Sequence, residues 1–418
     1  MNKPKKLLLF TLYQKYHRIS LGSKILIFMG IGVLAGIIFG EKAQVVQPLG
    51  DLFIRLLTMA AIPLVFFSLL AGLTSLVDIR SLGRMSGKIL VYYLFTTIMA
   101  LILGLGVMNL LKPGRGIQLK GEVADNLGEI PRVVDVFLDL VPDNIFQAFS
   151  SGKIIQVVVF AVFLGIAAMF LPPKQRQPLK KIFDLMAKLF RELVNLLMYF
   201  GPIGIGALMA STVGQYGSGM FGPLAMFIGG IWVAQAFMVV IYLILLFLFT
   251  RQSPVVFLKQ SAPLYATTAA TCSSLASLAV SMEVAENRIK IPRSIYSFTL
   301  PLGAQLNKDG TSIMLAGVLL FTAQALGVEF SLASQVSIIF VGLLLSTGSG
   351  GIPGGGLVIA LIFVKAFNLP PEIAVIVGGI YRLIDMGITT TNCMGDLVGT
   401  VIIARSEERA RNEPGNRI

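Results

Sequence analysis

Three aspartates and a lysine occupy segments otherwise built from apolar and small residues: Lys308, Asp309, Asp385 and Asp396. Ionised groups in such surroundings either pair with one another, reach a helix end at an interface, or handle a solute or ion. Their neighbours Asn307, Thr311, Thr389 and Asn392 carry oxygen and amide groups, suited to hard cations, carboxylates and ammonium groups. Hydrolytic chemistry has little to work with. The single histidine, His17, lies in a basic N-terminal run, and the two cysteines, Cys272 and Cys393, are not at metal-ligand spacing. No Ser-His-Asp or Cys-His centre, zinc site or disulfide framework is expected, and no organic cofactor; only a carboxylate-based enzyme remains as a catalytic alternative.

The chain that must position these groups is built for lipid. Of its 418 residues 55% are hydrophobic and 13% charged, and the mean hydropathy is +0.82. A spanning helix needs roughly 20 apolar residues, and stretches of that kind recur from Ile25 to near Ile403. No polar stretch is long enough for a separate soluble domain. The net charge of +13 belongs with the preference for basic residues on the cytoplasmic side and calls for no nucleic-acid partner. The basic stretch Met1 to Lys24 lacks a cleavage site; its run Lys6 to Ser20 reads either as a helix lying on an anionic leaflet or as a plain tail. Either way both termini are expected in the cytoplasm of a multi-pass protein of the cell membrane.

Helices are expected at about 25–40, 48–78 and 84–112, then a polar loop from Pro113 to Glu129, and an interrupted segment to about 171 broken at Pro142 and Asp143. Two long helices follow, about 177–214 and 220–250. From Ser253 onward apolar segments are interrupted at Thr267 to Ser277, Asn307 to Thr311, Ser346 to Gly356, and Asp385 to Asp396. Non-helical backbone at membrane depth survives only where protein buries it or it lines a wet cavity. The Ser346 to Gly356 run could instead be close helix packing, but Pro353 argues against a packed helix there. Interrupted segment, broken helix, interrupted segment, broken helix is the order of an internal repeat, the design of secondary transporters. A channel is the competing class, and saturation with counterflow separates the two.

Four runs then become recognisable together: Tyr296-Ser-Phe-Thr-Leu-Pro-Leu-Gly303, Asn307-Lys-Asp-Gly-Thr311, Gly350-Gly-Ile-Pro-Gly354, and Asp385-Met-Gly with Asn392-Cys-Met-Gly-Asp396. Over nearly its whole length the chain resembles the dicarboxylate/amino acid:cation symporter family, which includes glutamate and aspartate transporters and neutral amino acid exchangers. The resemblance implies an all-α polytopic homotrimer with eight transmembrane helices, two re-entrant helical hairpins and inverted repeats, working as an elevator. Residues 1–83 would hold the tail and scaffold helices one and two, 84–112 helix three of the transport domain, and 113–215 scaffold helices four and five. Helix six (216–252) and the segment 253–405 would complete the transport domain, with 406–418 a cytoplasmic tail. Hairpin one maps to about 254–286 and hairpin two, the outer gate, to about 332–367.

Carried over position by position, the resemblance assigns Ser274 and Asn392 to the substrate α-carboxylate and Asp385 to its ammonium, with Thr311, Thr389, Gly351 and Pro353 completing the pocket. Asp385 thus favours an amino acid over a plain dicarboxylate. Where acidic amino acid members carry an Arg toward the substrate side chain, this chain has Ile388; an unpaired second carboxylate would be costly to bury, so a neutral amino acid is expected. Glutamate or aspartate stays open if another basic group, such as Lys308, reaches the pocket. Tyr93, Thr96, Thr97, Asn307 and Asp309 match one sodium site of the family, Gly303, Asn307, Asn392 and Asp396 a second, and Ser346, Thr347 and Ser349 fall on the segment supplying a third. Lys308 replaces the Met of the sodium-coupled motif. Beside three carboxylates its ammonium could take the electrostatic part of a sodium ion, so weakened sodium dependence, with protons as the coupling ion or none, is expected; its head could also reach away and leave coupling intact. Some members have an Arg at the position of Cys272 and an acidic partner at that of Tyr381, and both are missing here.

Overall fold

In lipid every backbone polar group must be satisfied within the protein, which restricts the spanning elements to helices or a closed barrel. The computed structural model describes residues 21–75, 84–117, 141–151, 154–347, 355–370 and 372–412, and among these the regular elements are helical throughout. The readings of the first 20 residues, of most of the Pro113 to Glu129 loop, and of Ser349, Gly351 and Pro353 lie outside the described residues.

The order is α1 (Leu21–Phe39), a 3-10 turn (Gly40–Val46), α2 (Gln47–Ser75), α3 (Arg84–Leu111), α4 (Ile145–Ser151), α5 (Ile154–Phe170), α6 (Pro173–Met198), α7 (Gly201–Tyr216) and α8 (Phe221–Thr250). There follow α9 (Pro254–Thr271), α10 (Ser274–Glu283), α11 (Arg293–Leu306), α12 (Asp309–Ala325), α13 (Leu332–Ser346), α14 (Gly355–Ala366) and α15 (Glu372–Asn412). Long apolar runs suited to spanning are Leu21–Thr74, enough for two passes, Gly87–Leu111 and Phe221–Thr250.

Two groups of helices differ in how they hold together. The most extensive pairing in the molecule is α1 on α7, with α2 packed against α5, α6 and α7. Glycine makes the first of these possible: a Cβ on Gly32 would stand 2.1 Å from the Gly206 carbonyl oxygen, and one on Gly36 2.8 Å from that of Ala210. Association in lipid gains from such backbone approach because apolar side chains meet equally apolar tails elsewhere. The second group joins α3, α8, α11, α12 and α15, with α12 at its centre, buried from Asp309 to Ala323. On α8 the inward stripe runs Phe227, Ile231, Ala234, Met238, Tyr242 and Leu246, while Val233, Phe237, Val240 and Ile244 face outward. Both faces are apolar, so hydrophobic periodicity cannot tell them apart.

Two expectations need correction. The single helix expected over about 177–214 is two, α6 and α7, bent by 57° at Tyr199 and Phe200. Pro202, in the first turn of α7, has no N–H for the carbonyl one turn back and clashes with it, which ends the preceding helix. The segment from Asp385 to Asp396, expected to be broken, runs unbroken within the 41-residue α15. It contains no proline, and threonines there return hydrogen bonds to the helix, Thr390 to Met386 O and Thr400 to Asp396 O, both 2.8 Å. The polar residues of α15 therefore mark a face turned to polar partners. Of the two spanning segments expected to be broken, the first is interrupted between α11 and α12 and the second is continuous.

Candidate functional site

The hairpin tip of α9 and α10 forms because the chain reverses in two residues. Cys272 takes a left-handed conformation (φ 49°) and ends α9, with its N–H on Thr268 O at 2.8 Å. Ser273 is extended and caps α10, its hydroxyl accepting from Ala276 N at 3.2 Å, which satisfies one of the orphan donors of a helix start. Thr268 meets Thr390 of α15 at 2.8 Å, fixing the hairpin beside that helix.

The break between α11 and α12 is equally short. Asn307 (φ −85°, ψ 112°) and Lys308 (φ −133°, ψ 48°) leave helical geometry, and Asp309 opens α12. Here the cation-type residues come together. Asp309 accepts from Thr97 Oγ1 at 2.8 Å and from Tyr242 OH at 2.5 Å on its two carboxylate oxygens. Asn307 links this cluster to the next: its Oδ1 accepts from Thr96 at 3.5 Å, and its Nδ2 donates to Asp396 at 3.1 Å. Gly303 is required where it stands, because a Cβ would lie 2.5 Å from both Asp396 and the Tyr93 hydroxyl. Tyr93 itself donates to Thr299 O at 3.0 Å rather than to a carboxylate. These are hydroxyl, amide and carboxylate oxygens, a donor set that fits a hard monovalent cation.

Ser346 is buried and Thr347 lies at the end of α13, with their hydroxyls returned to Leu343 O and Leu344 O at 3.2 and 2.8 Å. These side chains serve their own helix, which leaves backbone carbonyls as what that end can offer.

A small pocket adjoins the carboxylate clusters. It is lined by Ser274 from the hairpin, Lys308 and Thr311 from the broken helix, and Asp385, Thr389 and Asn392 from α15. Ile388, Tyr381, Cys272 and Gly356 close it. Asn392 is oriented from both ends, Oδ1 accepting from Gly310 N at 2.7 Å and Nδ2 facing Thr311 Oγ1 at 3.4 Å. The site thus combines the carboxylate of Asp385, the basic side chain of Lys308 and several neutral hydroxyl and amide groups.

Lys308 is 1% exposed. Its Nζ donates to Ala304 O at 2.5 Å, and no carboxylate among the described residues stands within ion-pair distance of it. Of the two directions open to its head from the sequence, beside the carboxylates or away from them, Nζ here turns to a backbone carbonyl. The chain leaves α11 just before Lys308, so its stem folds back along the last turn of that helix, where a free carbonyl awaits a donor.

Three contributors were not apparent from the sequence. Tyr242, one polar residue in the 30-residue apolar α8, supplies a hydroxyl to Asp309. Tyr381 donates to Asp385 at 3.1 Å, so the residue at the missing acidic position orients the pocket carboxylate. Its neighbour Arg382 donates to Ala270 O of the hairpin at 2.9 Å, so a basic group still ties α15 to the hairpin, from the opposite side. An intramembrane tyrosine and an arginine beside the site are the signals that could have found them.

Comparisons with known proteins identify the family. The model of the sodium:dicarboxylate symporter family matches residues 21–406. A proton/sodium-glutamate symport protein of Bacillus caldotenax is 29% identical over 413 residues, covering 95% of this chain and 97% of the relative. A proton/glutamate-aspartate symporter of Bacillus subtilis is 30% identical, covering 93% and 95%, and a C4-dicarboxylate transport protein of the same organism is 30% identical, covering 90% and 91%. The chain belongs to the sodium:dicarboxylate symporter family and is a multi-pass membrane protein that carries a small molecule in symport with a cation, not an enzyme.

Proposed function

We propose that this chain carries an acidic amino acid, glutamate or aspartate, into the cell in symport with protons or sodium. One observation carries the reading: Lys308, a buried basic residue whose Nζ rests on Ala304 O, lines the same pocket as Asp385. A pocket with one carboxylate, one ammonium and several neutral donors complements a solute with one ammonium and two carboxylates. Asp385 meets the substrate ammonium, Ser274, Thr311, Thr389 and Asn392 meet the α-carboxylate, and Lys308 supplies for the second carboxylate the charge that Ile388 lacks. The neutral amino acid expected from Ile388 alone gives way to this assignment. The relatives named for glutamate, aspartate and C4 dicarboxylates support an acidic solute, and Asp385 disfavours a plain dicarboxylate, which brings no ammonium.

The coupling cation uses the clusters around Asp309 and Asp396. In each protomer of a homotrimer, α3 and α8 to α15 form the moving transport domain and α1, α2 and α4 to α7 the scaffold, with the Ser346 to Gly356 segment gating the pocket. The glycine-based α1–α7 pairing supports a rigid scaffold, and the polar cross-links among α3, α11, α12 and α15 support a unit that moves as one body.

The test is uptake of labelled aspartate, glutamate, succinate and alanine into proteoliposomes, with sodium replaced by choline and, separately, with an imposed pH gradient. Saturable, cation-gradient-driven aspartate or glutamate uptake with counterflow is the expected result. Accumulation of alanine alone would restore the neutral amino acid reading, and non-saturating flux would indicate a channel.

A further inference from the structure

A second cavity, of about 600 Å³, opens where α8 leaves its apolar stretch, between the end of α8, the turn from α10 to α11, and the last turns of α15. Its floor is apolar, made by Ile289, Ile291, Ile295 and Val401. Its mouth carries Arg251, Lys290, Arg405, Glu407 and Glu408.

The charges at the mouth do not balance locally. Glu408 accepts from Arg405 at 2.6 Å, and Glu407 from Lys88 of α3 at 2.9 Å. Arg251 and Lys290 have no carboxylate partner among the described residues; Arg251 lies over the Phe247 ring, 5.8 Å from its centroid. Both hold left-handed backbone, φ 60° and 65°, a conformation that favours glycine or asparagine. The rim is preformed: Gln252 N donates to Thr250 Oγ1 at 3.1 Å, Gln252 Nε2 to Gln260 Oε1 at 3.2 Å, and Gln260 Nε2 to Arg288 O at 3.0 Å.

Position decides what such a mouth meets. Arg251 directly follows the 30-residue apolar α8, so it stands at headgroup level. Immediately before it, Ile244, Phe247, Leu248 and Phe249 are exposed, and Val255 and Val256 continue that surface on α9. We propose that this cavity binds an anionic phospholipid, its phosphate held by Arg251 and Lys290 and its acyl chains over the apolar floor and the exposed flank of α8. Free phosphate would satisfy the two cations but leave both apolar surfaces unused, and a zwitterionic headgroup would bring its own cation to a mouth already rich in them.

The test is native mass spectrometry of delipidated, detergent-solubilised protein titrated with phosphatidylglycerol, phosphatidylcholine or inorganic phosphate. Wild type is expected to retain phosphatidylglycerol roughly tenfold or more over phosphatidylcholine, as two basic contacts at a membrane surface imply. R251N/K290N, whose asparagines suit the left-handed backbone, loses that preference; R251K/K290R keeps it, and so does K174N/K188N on α6, which removes two exposed lysines elsewhere. The single variant R251N gives the same reading, at reduced amplitude, should the double variant not fold. A preference that persists without Arg251 and Lys290, no preference in wild type, or displacement of the lipid by inorganic phosphate alone would each overturn the proposal.

Discussion

The α1–α7 pair and the cluster where α11 and α12 meet α15 answer the same solvent in opposite ways. In the first, glycines bring apolar helices to backbone contact, and among the polar side chains there Ser211 returns its hydroxyl to Leu208 O at 3.1 Å in its own helix. In the second, Asn307, Lys308, Asp309, Asp385, Asn392 and Asp396 are all buried, and the hydrogen bonds of Asn307, Asp309, Asn392 and Asp396 cross from helix to helix. A buried polar group without a partner costs roughly 1–3 kcal/mol, and an unpaired charge more. The first region therefore tolerates polar loss and resists added volume; the second resists removal of any one polar partner.

The largest effect is expected at the pocket carboxylate. Asp385→Ala removes the proposed partner of the substrate ammonium, and breaking a buried pair costs about 3–5 kcal/mol, so amino acid uptake in proteoliposomes should fall by roughly 100-fold or more while the protein still purifies folded. Next is Gly32→Val, which drives a side chain against the Gly206 carbonyl. Overpacking of about 1–3 kcal/mol should lower the thermal unfolding midpoint in detergent and leave the substrate affinity of the folded fraction unchanged; a selective loss of affinity would erase the contrast between the regions. The smallest is Tyr242→Phe, which takes one hydroxyl from Asp309. Hydrogen bonds between membrane helices contribute about 0.6–2 kcal/mol, so a modest fall in the unfolding midpoint is expected, with a shift in the concentration of coupling cation needed for half-maximal uptake. A change in the midpoint alone would make Tyr242 purely structural.

Much of this was legible in the chain. Charges and amides inside apolar segments marked α11, α12 and α15, and the breaks at Cys272–Ser273 and Asn307–Lys308 lie where small and polar residues interrupt the apolar pattern. The break assigned to Asp385–Asp396 was misread because threonine, asparagine and glycine look alike whether they end a helix or turn a polar face inward; even proline, which ends a helix at Pro202, lies inside continuous helices at Pro63, Pro263 and Pro301. Tyr242 and Arg382 escaped notice because their value lies in a partner on another helix. The direction of Lys308 was open for a related reason: a long side chain can be assigned to a position by motif, but its head follows the nearest unsatisfied carbonyl, here that of Ala304.

The central claim is that Lys308 makes the pocket selective for an acidic amino acid. It is tested most directly by measuring how unlabelled aspartate, glutamate, succinate and alanine compete with labelled aspartate in proteoliposomes carrying wild type or Lys308→Met. In wild type, aspartate or glutamate should compete best. In the variant their apparent affinity should fall by roughly 10- to 100-fold, the scale of a charge-assisted hydrogen bond of about 1.5–3 kcal/mol, with alanine gaining relative to both. Alanine competing best in wild type, or an order of competition untouched by the substitution, would contradict the account.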